Sequence, residues 1–258
     1  MPTKAEIIRA VRDQRRRTLD FVSQLDPEQF EVEALPGWRI REVLAHLIST
    51  DRATLTGAIL PAVFGSMDKL EAWNERQVHR LAGRPPAELL VGLDRWGRRF
   101  ARFASALPSP LYRLPLPTLW GRGPGGMLIH GRAYDEWVHR QDMRRGLGQP
   151  DEEVDLASVA EFLLGAVRTH TLPQLAGRGG RVAVSLSDVP IAESLFDLGE
   201  GTVSADGSAD ARVVSAGAPF IMTAAGRGTF ADLEQAGKLS IEGDRALAES
   251  FLKPLRIV

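Results

Sequence analysis

The first two thirds of the chain place apolar residues at the spacing of helices, and the last third does not. Apolar side chains recur three or four positions apart, the spacing that lines one face of a helix, and proline or glycine interrupts each run. Proline and glycine accumulate from Pro108 to Gly126, which predicts an irregular loop bordering a site. Helices are predicted over residues 4–25, 40–59, 69–81, 89–107, 127–147 and 154–172.

A break at residues 146–150, which contains glycine and proline, separates the helical part from a segment in which apolar residues recur at a shorter period. Residues 181–187 alternate between apolar and polar, as in a strand with one buried face. The break predicts two domains, a helical one over 1–150 and a small α+β one over 151–258. The C-terminal elements predicted are strands over 181–187, 195–198, 202–204, 211–215 and 238–242 and helices over 218–225, 229–236 and 244–251.

The composition is that of an ordinary folded protein, with 44% hydrophobic and 25% charged residues in 258. A net charge of -1 gives no bulk attraction to nucleic acid or anionic lipid. No apolar run approaches the roughly 18 residues that span a bilayer, and no signal core begins the chain, so a cytoplasmic protein is expected. Two arginine runs, Arg15–Arg17 and Arg95–Arg102, are expected to be solvated helix faces.

The chain contains no cysteine. Disulfides and thiolate metal ligands are therefore excluded, and metal ligands can only be nitrogen and oxygen atoms. Any thiol chemistry must use a thiol supplied from outside the protein.

Three side chains form a candidate metal site. Asp135 and His139 are four residues apart on a predicted helix, so both stand on one face, and His46 neighbours the apolar stripe of another helix. Metal sites are commonly built inside helix bundles from such facing positions. Burying these groups without a partner would cost several kcal/mol, which a divalent cation would offset. A surface pair of Asp135 with His139, and a packed or solvated His46, are the alternatives that the spacing leaves open.

Two imidazoles and one carboxylate favour zinc, while nickel, iron and manganese also accept this ligand set. Three protein ligands leave one coordination position open, as a catalytic site does. Asp142 follows His139 by three residues and is expected either to orient that imidazole through a hydrogen bond or to cap the helix or pair with Arg145. His130 is a weaker candidate, since it lies roughly 140° around the helix from Asp135 at about 100° per residue.

Two segments resemble the mycothiol-dependent maleylpyruvate isomerase family. Residues 37–47 (GWRIREVLAHL) look like its opening signature, and residues 135–148 (DEWVHRQDMRRGLG) are similar to its second. The resemblance implies a DinB-like four-helix metal-binding bundle with His46, Asp135 and His139 as ligands. Residues 184–188, 225–227 and 239–244 resemble, in order, segments of the family's sterol-carrier-protein-like domain. The implied fold class is α plus α+β.

The resemblance also implies a function. A metal in an open three-ligand site can bind a low-molecular-weight thiol such as mycothiol and lower its pKa, giving a nucleophile for S-transfer, thiol exchange or cis–trans isomerisation of a small electrophile. Arg227 is a candidate to hold a substrate carboxylate by a bidentate contact, with an exposed arginine as the alternative. Asn74 and Arg76 resemble a polar family segment near the pocket.

Two other functions remain open. The same three residues could activate water in a metal-dependent hydrolase, or the metal could brace a non-catalytic protein that binds a small hydrophobic molecule. The partners expected are a small thiol and a small electrophile, with no nucleic acid and no membrane. The protein is expected to be a monomer or a homodimer.

Overall fold

The computed structural model describes residues 2–58, 67–152, 154, 156–191, 193–204 and 207–257. Two compact units make up the chain. One comprises Pro2–Leu119 with Pro124–Asp151 and is largely helical. The other comprises Glu152–Val258 with Trp120–Gly123 and contains a five-stranded sheet with helices. A mixed architecture of helices followed by a smaller region with a sheet is thus confirmed.

Four long helices of the helical unit pack in a closed ring. Helices α1 and α2 each contact both α4 and α6, and α3 packs against α2. The apolar stripes face inward and form a core that includes Phe30, Leu44, Leu93 and Met143. The helices of this unit are α1 (Lys4–Val22), α2 (Ile40–Thr56), α3 (Met67–Leu81), α4 (Pro86–Ala106), α5 (Ser109–Arg113) and α6 (Gly126–Gly146).

Local signals set the ends of the first two helices. Thr3 caps α1 by accepting a hydrogen bond from the backbone N–H of Glu6, whose carboxylate accepts one from the backbone of Thr3. Gly57, with φ of 73°, ends α2 in the left-handed conformation that favours glycine. The predicted continuation to Ile59 and the stop at Pro61 lie outside the described residues.

A short hairpin, whose strands the sequence pattern did not predict, precedes α2. Strands β1 (Glu33–Leu35) and β2 (Trp38–Arg39) pair antiparallel around Gly37, which has φ of 81°. The hairpin delivers the chain directly into α2, because Arg39 is the N-cap residue of that helix. Trp38 is thereby placed at the start of the helix that carries His46.

The prediction of an irregular loop over 108–126 was wrong. The segment contains α5 and a two-stranded hairpin of β3 (Pro115–Thr118) and β4 (Gly121–Pro124). Proline is compatible with α5 because it occupies the first turn, where the backbone N–H has no intrahelical acceptor. Gly121 opens β4 with φ of 86°. The number of proline and glycine residues suggested a loop, but their positions are compatible with a short helix and a hairpin.

The second unit begins with a helical stretch in three parts: α7 (Leu156–Ala166), a π turn (Val167–Thr171) and α8 (Leu172–Leu175). It corresponds to the single helix predicted over 154–172. Three further helices follow within this unit, namely α9 (Gly217–Ala224), α10 (Phe230–Gln235) and α11 (Arg245–Leu252).

The five strands of the second unit have the order β7-β6-β5-β8-β9. The central strands β5 and β8 are parallel, and every other pair is antiparallel. Helix α11 packs on β5, β8 and β9, and its Phe251 ring lies 5.2 Å from that of Phe196 on β6. The strands are β5 (Arg181–Leu186), β6 (Ser194–Asp197), β7 (Thr202–Ser204), β8 (Ala211–Ser215) and β9 (Leu239–Gly243).

Among the described residues, no helix combines the length and the apolar character that crossing a bilayer requires.

Candidate metal centre

The structure brings His46, Asp135 and His139 together inside the helical bundle. One potential ligand atom from each lies within 4.8 Å of the other two. The carboxylate lies between the imidazoles, with Oδ2 3.6 Å from His46 Nε2 and Oδ1 3.4 Å from His139 Nε2. The two imidazole rings meet edge to face, with centroids 4.9 Å apart. These contacts exclude the alternative in which Asp135 and His139 form a pair remote from His46.

Helix α6 carries two members of this cluster and is buried on nearly every side. From Met127 to Met143 most of its residues are buried, including the charged or polar side chains of Arg132, Glu136 and Arg140. Each polar face of α6 therefore needs a partner from a neighbouring helix. For the face with Asp135 and His139, that partner is His46 on α2.

Burial alone would raise the pKa of Asp135. Three positive or potentially positive groups, Arg132, His139 and His46, reverse that effect and hold the pKa well below its usual range. Arg132 donates a hydrogen bond from Nη1 to Asp135 Oδ2. The carboxylate is consequently ionised at neutral pH, as a metal ligand must be.

His46 is buried, and that burial lowers the pKa of its imidazole despite the opposing effect of Asp135. The ring is therefore neutral at pH 7 and keeps a nitrogen lone pair. Its Nδ1 atom is buried and has no hydrogen-bond partner in the described part of the chain. The nitrogen that the neutral ring can offer to a cation shared with Asp135 is Nε2, which lies 3.6 Å from Asp135 Oδ2.

His139 is held by the residue that the sequence singled out. Asp142 Oδ2 lies 3.0 Å from His139 Nδ1 and is almost fully buried. Arg145, the competing partner considered for Asp142, instead forms a bidentate ion pair with Asp151. The hydrogen bond with Asp142 leaves His139 Nε2 directed towards Asp135, the orientation that a carboxylate–histidine–metal arrangement requires.

Trp38 covers the two histidines, a contact that sequence reasoning missed. Its ring centroid lies 5.4 Å from that of His46 and 6.4 Å from that of His139, and it is stacked on the second ring. The indole N–H donates to Glu75 Oε2 on α3 at 3.2 Å. The sequence feature that pointed to this contact was the position of Trp38 at the turn before α2, the helix that carries His46.

An ionic network extends from the cluster across the bundle. Arg132 Nε lies 3.1 Å from Asp51 Oδ1, and Arg15 Nη2 lies 2.7 Å from Asp51 Oδ2 and 2.8 Å from Glu136 Oε2. The expectation that Arg15 belongs to a solvated face was wrong, because its side chain is only 11% exposed. Residues 15–17 are spread over about 200° of the helix at about 100° per residue, so they do not share one face, and Arg15 points inward while Arg16 is exposed.

The remaining candidate residues, and His79, are not members of this cluster. Asn74 and Arg76 are on α3, the first half-buried and the second exposed. Arg227 follows α9 in the second unit, is half-buried, and donates from Nη1 to the carbonyl of Ala225 at 2.6 Å. His130 is buried on α6 but is not a member of the cluster. His79 is exposed and contacts Glu75.

The geometry and chemistry of the three residues fit a divalent metal. Two ligands each about 2.0–2.1 Å from a zinc ion at the tetrahedral angle lie roughly 3.4 Å apart. Each imidazole lies close to that distance from one oxygen of the Asp135 carboxylate, with His46 Nε2 3.6 Å from Oδ2 and His139 Nε2 3.4 Å from Oδ1. Neutral imidazole and ionised carboxylate are also the ligand types that zinc and its neighbours in the first transition series accept.

Known proteins share this architecture. A family model described as the mycothiol maleylpyruvate isomerase N-terminal domain matches residues 11–144, more than half of the chain. The crystal structure of the mycothiol-dependent maleylpyruvate isomerase is similar with a TM-score of 0.60 at 17% identity, covering 94% of this chain and 96% of that chain. A histidine-to-alanine mutant of that isomerase gives a TM-score of 0.58 with the same identity and coverage. No curated protein matches the sequence.

The fold and the cluster define a helical bundle with a buried histidine–aspartate site, joined to a unit with a sheet. The match over residues 11–144 includes every residue of the cluster. The chain belongs to the mycothiol maleylpyruvate isomerase family. The solved structures, at 17% identity, establish likeness of fold.

Proposed function

We propose that this protein is a metal-dependent enzyme that uses mycothiol or a similar low-molecular-weight thiol, and that His46, Asp135 and His139 hold the metal. The observation that carries the proposal is the convergence of these three side chains from two helices to within 4.8 Å. Zinc is the preferred ion for two imidazoles and one carboxylate, with nickel, iron and manganese as the other candidates. Membership of the mycothiol maleylpyruvate isomerase family supports the use of a thiol in the reaction.

When bound, the metal would supply the acidity that turns an incoming thiol into a thiolate near neutral pH. The protein has no cysteine of its own to serve as a nucleophile or a competing ligand. The thiolate would add to an electrophilic carbon of the substrate. With a conjugated double bond, the π electrons move onto the adjacent carbonyl group as the C–S bond forms. Protonation of this adduct by the proton released from the thiol gives S-transfer, whereas rotation about the former double bond and expulsion of the thiolate, which restores the double bond, gives cis–trans isomerisation.

The residues around the cluster have separate tasks in this proposal. Asp142 fixes the His139 ring by the hydrogen bond at Nδ1. Arg132 keeps Asp135 ionised through its hydrogen bond to Oδ2. Trp38, which lies against the His46 ring and stacks on the His139 ring, limits the access of water to them. Together, these contacts keep the three ligands in place and leave the remaining coordination positions of the metal open to small molecules.

We further propose that residues 1–150 are a DinB-like metal-binding domain and that residues 151–258 are a sterol-carrier-protein-like domain. Arg227 is proposed to bind a substrate carboxylate, because a guanidinium presents two parallel donors that match one. It lies between Gly226 and Gly228, whose φ values of 83° and 138° let the backbone turn sharply there. Asn74 and Arg76 are proposed to contact substrate from α3.

The proposal is tested by measuring metal content and thiol chemistry together. Purified protein would be loaded with zinc, freed of excess metal, and incubated with mycothiol and maleylpyruvate. Mass spectrometry detects S-conjugates, and absorbance or chromatography detects the isomerised product. We expect about one zinc per chain and a product whose formation requires both zinc and mycothiol.

Matched histidine variants locate the site. His46→Ala should lose zinc and activity, whereas His79→Ala should keep both, because the His79 side chain is 76% exposed and pairs with Glu75 on its own helix. Zinc binding retained in full by His46→Ala would contradict the metal site. A product formed with water in place of the thiol would contradict the thiol-dependent reaction.

A further inference from the structure

We infer that Arg132 is a positioning residue for the metal centre: its guanidinium fixes the orientation of the Asp135 carboxylate by tying it to Asp51 on α2. The inference rests on the proposed metal site and assigns a role to residues outside the three ligands. Its basis is a chain of ion pairs that reaches one ligand and passes through the interior of the bundle.

The guanidinium of Arg132 engages three groups at once. Nη1 donates to Asp135 Oδ2, Nε donates to Asp51 Oδ1 at 3.1 Å, and Nη2 lies 3.4 Å from the carbonyl oxygen of Leu47. A flat guanidinium with donors in fixed directions can make such a set of contacts, whereas a lysine ammonium on a flexible stem cannot. Arg132 thus connects the helix that carries Asp135 with the helix that carries His46.

Asp51 is itself held in place. Its side chain is 1% exposed, and its second oxygen accepts a hydrogen bond from Arg15 on α1 at 2.7 Å. Arg15 also donates to Glu136 on α6 and to the carbonyl of Leu93 on α4. Three of the four helices of the ring contribute side chains to this network, and the fourth contributes a carbonyl. Arg132 is therefore anchored to the bundle rather than to one flexible residue.

The consequence for Asp135 follows from its surroundings. The Asp135 side chain is 30% exposed, so packing alone does not fix the rotation of its carboxylate. The hydrogen bond from Arg132 selects the orientation in which Oδ2 faces His46 and Oδ1 faces His139. Without Arg132 the carboxylate could rotate away from the imidazoles towards solvent, and metal binding would weaken.

The test compares two buried arginines of the same helix. Arg132→Lys keeps the positive charge but loses the three-way contact. Arg140→Lys is the matched control, because Arg140 is 1% exposed and contacts Gln14 and Thr18 of α1. Zinc affinity would be measured by competition with a chelator, and the visible absorption of the cobalt(II)-substituted proteins would report on the ligand geometry.

We expect Arg132→Lys to lower zinc affinity by about 10- to 100-fold and to change the cobalt spectrum, as loss of a group that orients a metal ligand does. Arg140→Lys should bind zinc and cobalt like the wild type even if it is less stable. Asp51→Asn, which removes the negative charge that anchors Arg132, should change affinity in the same direction. If Arg132→Lys does not fold, Asp51→Asn replaces it in the test.

The outcomes separate this inference from the proposed function. Wild-type protein that binds no zinc overturns both. Wild-type binding with unchanged affinity and spectrum in Arg132→Lys, or in Asp51→Asn if the former is unfolded, overturns the positioning role and leaves the metal site standing. An equal loss of affinity in Arg132→Lys and Arg140→Lys overturns it as well, since the effect would then come from any buried arginine of α6.

Discussion

Replacement of Gly97 by alanine tests whether the buried ionic network stabilises the helical bundle. Gly97 lies within α4, where helix propensity alone predicts that alanine is more stable by about 1 kcal/mol. A Cβ at this position would lie 2.6 Å from Arg15 Nη1 and 3.1 Å from Arg15 Cγ. The guanidinium must move to admit the methyl group. The two effects have opposite signs, so the sign of the measured change decides between them.

The contacts of Arg15 allow an estimate of how much Gly97→Ala changes the free energy of unfolding. Nη1 donates to the Leu93 carbonyl at 2.7 Å, and Nη2 donates to Asp51 at 2.7 Å and to Glu136 at 2.8 Å. A hydrogen bond of a charged group is worth roughly 1.5–3 kcal/mol. Losing the bond to Leu93 and weakening the other two, offset by about 1 kcal/mol of helix propensity, gives a net destabilisation of about 2 kcal/mol.

Gly165→Ala is the matched control, because Gly165 also lies in a helix, α7, and its added Cβ would meet, beyond the adjacent backbone of that helix, no atom of the described residues within 4 Å. Urea unfolding followed by circular dichroism would give the change for each variant, with two transitions fitted if the units unfold separately. We expect Gly165→Ala to be neutral or stabilising and Gly97→Ala to be destabilising. If Gly97→Ala stabilises the protein as Gly165→Ala does, the packing of Arg15 against α4 does not contribute as argued.

Three further changes have defined outcomes. Asp142→Asn should lower zinc affinity about 10- to 100-fold because the orienting bond to His139 is weakened, while Arg145→Gln, which loses only an exposed ion pair, should not, as measured by chelator competition. Burial raises the pKa of Tyr112, so folding stability should fall as pH rises past 10; Tyr112→Phe should flatten that dependence and cost about 1 kcal/mol at neutral pH, measured by urea unfolding. Phe251→Ala should destabilise the second unit by about 3–5 kcal/mol in the same assay, because the ring is fully buried against the sheet.

Helices of the first unit were predictable where one face is apolar and the rest is polar. The runs for α1, α2 and α4 follow that rule, and α4 begins at Pro86, three residues before its predicted start. The segment 108–126 was not predictable from composition, since its prolines and glycines occupy the positions where a short helix and a hairpin accept them. There, position within an element decides the structure, and the number of proline and glycine residues does not.

The candidate ligands were predictable for two reasons. The pattern of Asp135 and His139 is local, and the helix that carries His46 was itself predicted from its apolar face. Asp135 and His139 are one helical turn apart, and Asp142 is within reach of His139 on the same helix. Arg15, Asp51 and Glu136 gave no such signal, because their contacts join residues 36 and 121 positions apart in the sequence. Charged residues within amphipathic helices are usually solvated, and only the packing of the helices identifies those that are buried.

The ion pairs and the candidate ligands act on the same contact between α2 and α6. Asp51 lies five residues after His46 on α2, and Arg132 lies three residues before Asp135 on α6. Any sliding of one helix along the other that separated Arg132 from Asp51 would also separate His46 from Asp135, since both pairs cross the same interface. Removing one partner of a buried pair leaves an uncompensated charge and is strongly destabilising. The energy that resists such sliding therefore also preserves the distance between the ligands, so the stability of the bundle and the geometry of the site depend on the same residues.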